Sequence, residues 1–229
     1  GWVGKNSCLL NENQGSFFFL AEILLNIPLS EIKEGEKPQP DRCGSCERCI
    51  HICPTHCIRS DRTVDARRCI AYLTIENKKE IPLDLRSSIG DHLFGCDLCQ
   101  QVCPWNQKLL DLSESQKIPE ILQNYLQNLN PSQIFDDATY NQNFSSSPLL
   151  RARRRGFYRN LAVAAGNKKN PTNIPFLMRL LRDPDILIRQ HAAWALGCFE
   201  SESVQLLLKD ALQKEPNEKV KQEIQLVLK

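Results

Sequence analysis

The spacing of the cysteines between residues 43 and 104 constrains this chain more than any other feature. CGSCERCIHICP (residues 43–54) has the pattern Cys-x2-Cys-x2-Cys-x3-Cys-Pro, and CDLCQQVCP (residues 96–104) has the pattern Cys-x2-Cys-x3-Cys-Pro. Together with Cys69, which lies between them, the two runs supply eight thiols. Two four-iron clusters require that number, and the first run has the spacing of bacterial two-cluster ferredoxins. The pattern therefore predicts two 4Fe-4S clusters.

The order of the cysteines also predicts how they divide between the clusters. In bacterial ferredoxins the first three cysteines of a run bind one cluster, and the fourth, which precedes a proline, binds the other. The second run lacks one cysteine, and Cys69 is the natural substitute. The predicted ligands are Cys43, Cys46, Cys49 and Cys103 for one cluster and Cys53, Cys69, Cys96 and Cys99 for the other.

Zinc and disulfide bonds are the alternatives to these clusters. Paired Cys-x2-Cys elements also build structural zinc sites, but those need four ligands in separable sets. Here seven cysteines lie in two runs that each end in Cys-Pro, which favours iron–sulfur clusters. Disulfides belong mainly to secreted domains, and the sequence shows no signal-peptide pattern. It also has no apolar run of about 18 residues, so we expect a cytoplasmic protein that enters no membrane.

An apolar stretch precedes the cysteine runs. Its large side chains recur near helical spacing and predict a helix over residues 17–27, with Ser16 as the N-cap and Pro28 as the stop. A charged, proline-rich connector follows at residues 33–42. Because a helix this short does not form a domain by itself, we expect it to pack on another part of the protein.

An internal repeat follows the cysteine runs. Residues 183–196 align with residues 215–228 at a shift of 32, and each copy begins with an acidic residue and a proline. This recurrence is typical of an α-solenoid of the HEAT type. A weaker copy lies upstream and places Arg153 where Arg189 stands in the next copy.

Positive charge is concentrated in one short window. Residues 1–150 carry 14 Lys and Arg against 19 Asp and Glu, whereas residues 151–169 carry seven Lys and Arg and no acidic residue. Such a window indicates a polyanion, and Phe157 and Tyr158 within it could stack on unpaired RNA bases. A helix face exposed to solvent is the alternative interpretation. The predicted RNA contacts are Arg151, Arg153, Arg154, Arg155, Arg159, Lys168 and Lys169.

These features together resemble the epoxyqueuosine reductases. The resemblance rests on GWVGKN, GSFFFLAEIL, CGSCERCIHICP, ARRCIAYLTIE and GCDLCQQVCPWN in that order, followed by the HEAT-like segment. It implies an oxidoreductase that uses cobalamin to reduce epoxyqueuosine to queuosine at the wobble position of tRNA, with the clusters passing electrons to the cobalt. It also implies a monomer whose partners are a tRNA with a queuosine-type anticodon loop and an electron donor of unknown identity.

The resemblance implies particular cofactor contacts as well. Asn13, Gly15 and Ser16 are similar to the part of the family that faces cobalamin and the modified nucleotide. Ala71 and Asp97 match positions near the corrin ring. For Asp97, a loop carboxylate exposed to solvent is the alternative interpretation.

The start of the chain departs from the family pattern. Family members have a further N-terminal region that supplies much of the corrin pocket and an Asp thought to donate a proton. Here the first residue is Gly1 instead of Met, and only proximity recommends Glu12 for the role of that Asp. We therefore expect the catalytic residue to lie outside this chain, which by itself would bind clusters and tRNA with little or no turnover.

The sequence predicts a mainly α fold, in which a bacterial two-cluster ferredoxin-like domain is followed by a short HEAT-like α-solenoid. The predicted domains are a remnant of the cobalamin and substrate domain with its connector (1–40), the ferredoxin-like domain (41–112), and the helical repeat region with the tRNA contacts (113–229). One alternative function is a two-cluster electron carrier fused to a protein-interaction solenoid. Another is a related corrinoid reductase such as a dehalogenase, which would not need the basic repeat.

The ligand assignment predicts different outcomes for two cysteine variants. Cys57 lies four residues after Cys53, but the ligand count is full without it. Cys57→Ser should therefore keep the iron of both clusters, whereas Cys69→Ser should lose up to one cluster. Iron and sulfide analysis of anaerobically purified protein measures both outcomes, and loss of iron from Cys57→Ser would contradict the assignment.

Overall fold

The computed structural model describes residues 1–26, 28, 40–107 and 134–228. Within these residues the chain forms two compact units. The first unit contains residues 1–66 and 97–107, and the second contains residues 67–96 and 134–228, as far as each is described.

Helices predominate among the described residues. Two short strands, β1 (Trp2–Val3) and β2 (Leu9–Leu10), pair antiparallel near the N-terminus. The α-helices are α1 (Arg48–Ile52), α2 (Leu83–Ile89), α3 (Leu98–Gln101), α4 (Asp137–Asn143), α5 (Arg153–Lys168), α6 (Ile174–Leu180), α7 (Ile186–Gly197), α8 (Glu202–Lys214) and α9 (Glu218–Val227). Tyr72–Glu76 is a π-helix, and 3-10 turns occupy Ala66–Arg68, Pro104–Asn106, Pro148–Ala152 and Pro171–Asn173.

The first unit is held together by short polar links and a small apolar core. The rings of Trp2 and Trp105 meet edge to face with their centroids 5.0 Å apart. Arg62 donates a 2.7 Å hydrogen bond to the Val3 carbonyl oxygen and pairs with Asp41 at 2.5 Å. The buried hydrophobic side chains of this unit, among its described residues, are Trp2, Leu10, Cys53, Cys57 and Ile58.

The predicted helix over residues 17–27 is wrong. Residues 17–26 form neither a helix nor a strand, and residue 27 lies outside the described residues. The side chains of Leu20 and Leu24 are 70% and 93% exposed. An isolated helix of this length is marginal in water unless its apolar face is buried, and among the described residues these two side chains have no such packing surface.

The second unit is built around one extended apolar core. In it α5 packs on α7, and α7 packs on α6 and α9. Side chains of the 67–96 segment, including Leu85 and Ile89 of α2, join the same core. Gly166 allows α5 to approach α7 closely, because a Cβ at this position would lie 2.8 Å from the Ala195 Cα.

The two copies of the predicted repeat are built in the same way. Asp185 caps the first turn of α7 and Asn217 caps that of α9, each by accepting a backbone N–H with its side-chain oxygen. The acidic residue before each proline supports the cap. Asp183 accepts the Asp185 N–H at 2.9 Å, and Glu215 accepts the Asn217 N–H at 3.0 Å. The acid–proline turn before α7 and the one before α9, which are 32 residues apart, thus have the same hydrogen bonds.

An arginine of the preceding long helix binds each acidic turn. Arg189 of α7 donates two hydrogen bonds, of 2.9 and 2.8 Å, to the carboxylate of Glu215. Arg154 of α5 binds Asp183 in the same bidentate manner, with one bond of 3.1 Å, and both side chains are buried. The repeat alignment placed Arg153 in this role. That placement is corrected by one residue, because Arg153 has an exposed side chain and a φ of 58° at the start of α5.

The segment between the two cysteine runs packs with the helical repeats. Arg86 of α2 donates bonds of 2.6 and 3.2 Å to Glu223 of α9, and its guanidinium lies 5.7 Å from the centroid of the Trp194 ring. Residues 67–96 therefore belong to the same compact unit as the repeats. The domain boundaries at residues 40 and 112 stay predictions.

Among the helices that the structure describes, none has the length and apolar character needed to cross a membrane.

His191 is a buried, neutral link between α7 and the 67–96 segment. Its Nδ1–H donates to the Leu187 carbonyl oxygen at 2.8 Å, and its Nε2 accepts the Ile81 N–H at 3.1 Å. Burial, and after it the positive charge of Arg86, lowers the pKa of His191 well below its usual value. Protonation of Nε2 would break the bond to Ile81, so the folded unit resists it.

The lowered pKa of His191 predicts that the free energy of unfolding falls as the pH falls. An unfolded histidine has a pKa of about 6.5, so below that pH the unfolded chain binds a proton that the folded chain excludes. Between about pH 7.5 and about pH 5.5 the unmodified protein should lose more stability than His191→Gln. Urea unfolding followed by circular dichroism measures this.

The exposed His51 provides the control for this experiment. His51→Gln removes an exposed side chain of the first unit, so this variant, like the unmodified protein, should lose more stability than His191→Gln over the same pH range. An equal loss of stability in the unmodified protein and in His191→Gln would contradict the prediction.

Candidate functional site

Four thiols of the first unit line one cavity. Cys43, Cys46, Cys49 and Cys103 lie on its wall, and its volume is about 270 Å³. These are the four ligands predicted for one of the two clusters. The structure thus brings Cys103, at the end of the second cysteine run and 54 residues after Cys49, to the same cavity as the first three cysteines.

Local backbone geometry places these thiols. Gly44 adopts a φ of 52°, which favours glycine, and the Cys46 N–H donates to the Cys43 carbonyl oxygen at 3.0 Å. The Cys43 N–H in turn donates to a carboxylate oxygen of Asp41 at 3.0 Å. Cys49 lies on α1, and Cys103 directly precedes a 3-10 turn. The tight turn between Cys43 and Cys46 allows two cysteines that are close in the sequence to line the same cavity.

Two of these thiols, Cys49 and Cys103, have a pKa raised by burial. Burial raises the pKa of Cys49, and the neighbouring thiolates of Cys103 and Cys43 raise it further. Burial also raises the pKa of Cys103, with Cys43 and Cys46 adding to the effect. A bound metal has the opposite effect on the pKa, since a coordinating thiol is deprotonated outright.

The cavity suits a cluster of several atoms. Thiolate sulfur is the ligand type that iron–sulfur clusters use, and four thiols surround the space. Among the described residues, no three His, Cys, Asp or Glu side chains converge closely enough to share one ion. Lys5, Arg42 and Arg48 line the same cavity. Two of these cations are already paired, Lys5 with Glu47 at 3.9 Å and Arg42 with Glu12.

The other four predicted ligands divide between the two units. Cys53 and Cys99 belong to the first unit, and Cys69 and Cys96 belong to the second. Within the first unit, Asn6 donates a hydrogen bond of 3.4 Å to the Cys99 carbonyl oxygen. The assignment of these four cysteines to one cluster stays a prediction.

Cys53 has two polar neighbours that its position in the sequence did not reveal. Its Sγ lies 3.4 Å from the Sγ of Cys57 and 3.5 Å from the Oγ1 of Thr55. The hydrogen bond with Cys57, ahead of the one with Thr55, lowers the pKa of Cys53 to about 4. Cys57, set aside in the ligand count, thus contacts a predicted ligand directly.

Two of the residues predicted to contact cobalamin, Ser16 and Asp97, lie in one hydrogen-bonded network, and a third, Gly15, packs against it. Ser16 is buried, and its hydroxyl donates to Gln100 at 2.9 Å, while the Gln100 side chain donates to Asp97 at 2.8 Å. The Ser16 N–H donates to Asn106 at 2.7 Å. Gly15 has a φ of 58°, and a Cβ there would lie 1.9 Å from Asn106 Oδ1.

The remaining cobalamin candidates lie elsewhere. Asn13 is exposed in the turn after β2, and Ala71 belongs to the second unit. Gln100 and Asn106 organise the network around Ser16, but nothing in their sequence context distinguished them from other polar residues near the second cysteine run. Their role depends on a contact between residues 90 positions apart.

Five of the seven predicted RNA contacts are exposed, all of them in the second unit. Three already have an acidic neighbour. Arg151 pairs with Glu76, Arg155 with Asp185 at 3.3 Å, and Lys168 with Asp91 at 3.5 Å. The other two exposed cations are Arg153 and Lys169, for which the described residues provide no ion pair. The five cations therefore form an exposed positive surface, and acidic side chains neutralise part of its charge.

The structure corrects the interpretation of the other two arginines. Arg159 is fully buried and donates to the carbonyl oxygens of Leu73, Asn77 and Lys79 at 2.6 to 2.7 Å. Burial lowers its pKa to about 10, which leaves it protonated at neutral pH. Arg154 is buried against Asp183, as described above. Both guanidinium groups are used inside the fold, so neither is offered to RNA.

The two aromatic side chains in the basic window are buried as well. Phe157 and Tyr158 are each 2% exposed. Tyr158 accepts the Phe135 N–H with its hydroxyl at 2.8 Å and lies under the guanidinium of Arg154. Their predicted stacking on RNA bases is therefore corrected to packing within the second unit.

The fold and the thiols define an iron–sulfur protein in which a double-cluster domain precedes a helical repeat. Residues 42–106 match the family described as a 4Fe-4S double cluster binding domain, and residues 148–229 match HEAT repeats. The predicted fold class and the two 4Fe-4S clusters are thereby confirmed.

The chain is a relative of the epoxyqueuosine reductases. The epoxyqueuosine reductase of Xanthomonas campestris pv. campestris is 40% identical over 201 residues, which are 86% of this chain and 54% of that protein. The one from Vibrio cholerae is 39% identical over 202 residues, which are 86% of this chain and 52% of that protein. The chain thus spans about half the length of the curated relatives it matches, and the predicted resemblance is confirmed.

Solved structures agree with this relationship. Epoxyqueuosine reductase from Bacillus subtilis matches with a TM-score of 0.81 at 31% identity, over 100% of this chain and 61% of that one. An epoxyqueuosine reductase solved with an epoxyqueuosine-modified tRNA-Tyr stem loop matches with a TM-score of 0.81 at 30% identity, over 100% of this chain and 60% of that one.

The buried position of Arg159 predicts a loss of stability when it is replaced. Arg159→Met would remove the donor that three carbonyl oxygens share and should lower the free energy of unfolding by about 3 kcal/mol or more. Arg153→Met, at an exposed position, should change it by no more than about 0.5 kcal/mol. Urea unfolding measures both, and an Arg159→Met protein as stable as the unmodified one would contradict the buried role.

Proposed function

We propose that this chain is the cluster-bearing and tRNA-binding part of an epoxyqueuosine reductase. The reaction removes the epoxide oxygen of epoxyqueuosine as water, which consumes two electrons and two protons and leaves a carbon–carbon double bond. The observation that carries the proposal is the cavity lined by Cys43, Cys46, Cys49 and Cys103, in a chain related to these enzymes over most of its length.

The cysteines of this chain hold the electron-transfer groups. Cys43, Cys46, Cys49 and Cys103 bind one cluster, and Cys53, Cys69, Cys96 and Cys99 bind the other. When bound, the clusters and cobalamin supply the electrons that the reduction requires. Arg48 keeps positive charge beside the first set of thiolates, which favours the more negative, reduced state of a cluster held there. Lys5 and Arg42 line the same cavity, but they pair with Glu47 and Glu12.

Residues 1–40 contribute to the part of the protein that holds cobalamin and the modified nucleotide. The network of Ser16, Gln100, Asp97 and Asn106 fixes the backbone at Gly15, where even one additional carbon would collide with Asn106. The exposed apolar side chains of residues 17–25 support a packing partner outside the described residues, since apolar patches of this kind mark interaction surfaces.

The exposed cations of α5 and its flanks bind the phosphates of the tRNA stem loop. Arg153 and Lys169 are the primary contacts, because Arg151, Arg155 and Lys168 have acidic neighbours. The solved relative that holds a tRNA stem loop supports this partner. We also propose a monomer that works in the cytoplasm, where tRNA and reduced thiols occur together, with a separate electron donor.

Binding of an epoxyqueuosine-containing tRNA stem loop tests the partner. The protein should bind it with an affinity that falls steeply with salt, because neutralising phosphates releases counterions. In the double variant Arg153→Ala/Lys169→Ala the affinity should fall. The slope of log K against log salt should shrink by roughly one for each phosphate that the variant no longer neutralises. Gel shifts or fluorescence anisotropy across a salt series measure both.

Lys209→Ala is the matched control, since Lys209 is an exposed cation of the second unit outside the predicted set. It should keep the affinity and slope of the unmodified protein. Absence of binding, or binding without salt dependence, would reject the tRNA role and favour the two-cluster electron carrier. A colourless, anaerobically purified protein that holds zinc in place of iron and sulfide would reject the cluster role.

A further inference from the structure

A ninth thiol lies beside a predicted cluster ligand. The Sγ atoms of Cys57 and Cys53 are 3.4 Å apart, and the residues are 4% and 8% exposed. The hydroxyl of Thr55, which is 1% exposed, lies 3.5 Å from the same Cys53 sulfur. Two potential donors therefore converge on one sulfur in a region closed to water.

The loop after Cys53 holds Cys57 in this position. The His56 N–H donates to the Cys53 carbonyl oxygen at 3.1 Å, and the Asp65 N–H donates to the Cys57 carbonyl oxygen at 2.8 Å. Directly after Cys57, a β-bridge between Ile58 and Val64 fixes the next residues of the chain. Because the backbone is fixed on both sides, the approach of the two sulfurs follows from the fold of this unit.

The direction of the hydrogen bond follows from the role of Cys53. A cysteine that binds a cluster is a thiolate without a proton, so its sulfur only accepts. Cys57 retains its proton and donates as a weak S–H donor, while Thr55 donates through its hydroxyl. A hydrogen bond to a ligand sulfur stabilises the additional negative charge of a reduced cluster and thereby raises its reduction potential.

We propose that Cys57 is a positioning residue that donates an S–H···S hydrogen bond to the ligand sulfur of Cys53 and raises the reduction potential of the cluster bound there. This inference rests on the proposed assignment of Cys53 as a ligand. It gives a function to a thiol that the ligand count leaves over. It also implies that Thr55 acts on the same sulfur in the same direction.

Redox titration of the holoprotein, followed by electron paramagnetic resonance, tests the inference. Cys57→Ala should shift the midpoint potential of one cluster to a more negative value and leave the other unchanged, with the full iron content retained. Cys57→Ser restores a donor and should recover most of the shift. Thr55→Val should shift the same cluster in the same direction. Cys198→Ala, which removes a thiol of the second unit, is the control and should leave both potentials unchanged.

The possible failures can be distinguished. Full iron content with both potentials unchanged in Cys57→Ala would overturn this inference alone. Loss of iron from Cys57→Ala would overturn the assignment of Cys53 and, with it, the inference. A protein without clusters before any substitution would overturn the proposed function itself.

Discussion

Metal–thiolate bonding is the constraint on which the first unit depends. Its buried hydrophobic side chains, among the described residues, amount to a few scattered residues, whereas the extended apolar core consists entirely of side chains from the second unit. A small unit with so little apolar burial needs another source of stability. Binding of a metal core by preorganised thiolates supplies it, because the free energy of binding is then also free energy of folding. The bonds that hold the clusters therefore also hold this unit together.

The second unit differs from the first in what determines its structure. It has ample apolar surface, but its segments must be held in one relative arrangement. Buried arginines do this. Arg159 gathers three carbonyl oxygens of the 73–79 segment, Arg86 reaches Glu223 of α9, and Arg154 reaches Asp183. A guanidinium presents several donors in a fixed plane, so each of these contacts specifies direction as well as proximity. Removing any one partner would leave a buried polar group unsatisfied.

Features that depend on interactions between residues close in the sequence could be predicted, whereas features that depend on distant residues could not. Ligand spacing around a cluster and the period of a helical repeat are properties of a short window, and Cys43 to Cys49 and the two acidic turns appear as expected. The burial of Arg154 and Arg159 is not local. A dense run of cations looks the same in sequence whether its side chains are exposed or buried. Arg159 is buried because it binds carbonyl oxygens within residues 73–79, which are about 80 positions away in the sequence. The helix expected over residues 17–27 failed for the same reason, because periodicity shows an apolar face but not the surface that would cover it.

The Arg–acid link between successive repeats has a consequence for how such arrays change length. Each link uses one arginine from the preceding long helix and one carboxylate at the next acid–proline turn, and the carboxylate also supports the cap of its own helix. The same type of Arg–acid link therefore occurs at both ends of a repeat. A further unit of 32 residues, inserted at a turn, would find a matching arginine on one side and supply an equivalent one on the other. The array can thus gain or lose whole units, while a partial insertion between Arg189 and Glu215 would break the link between them.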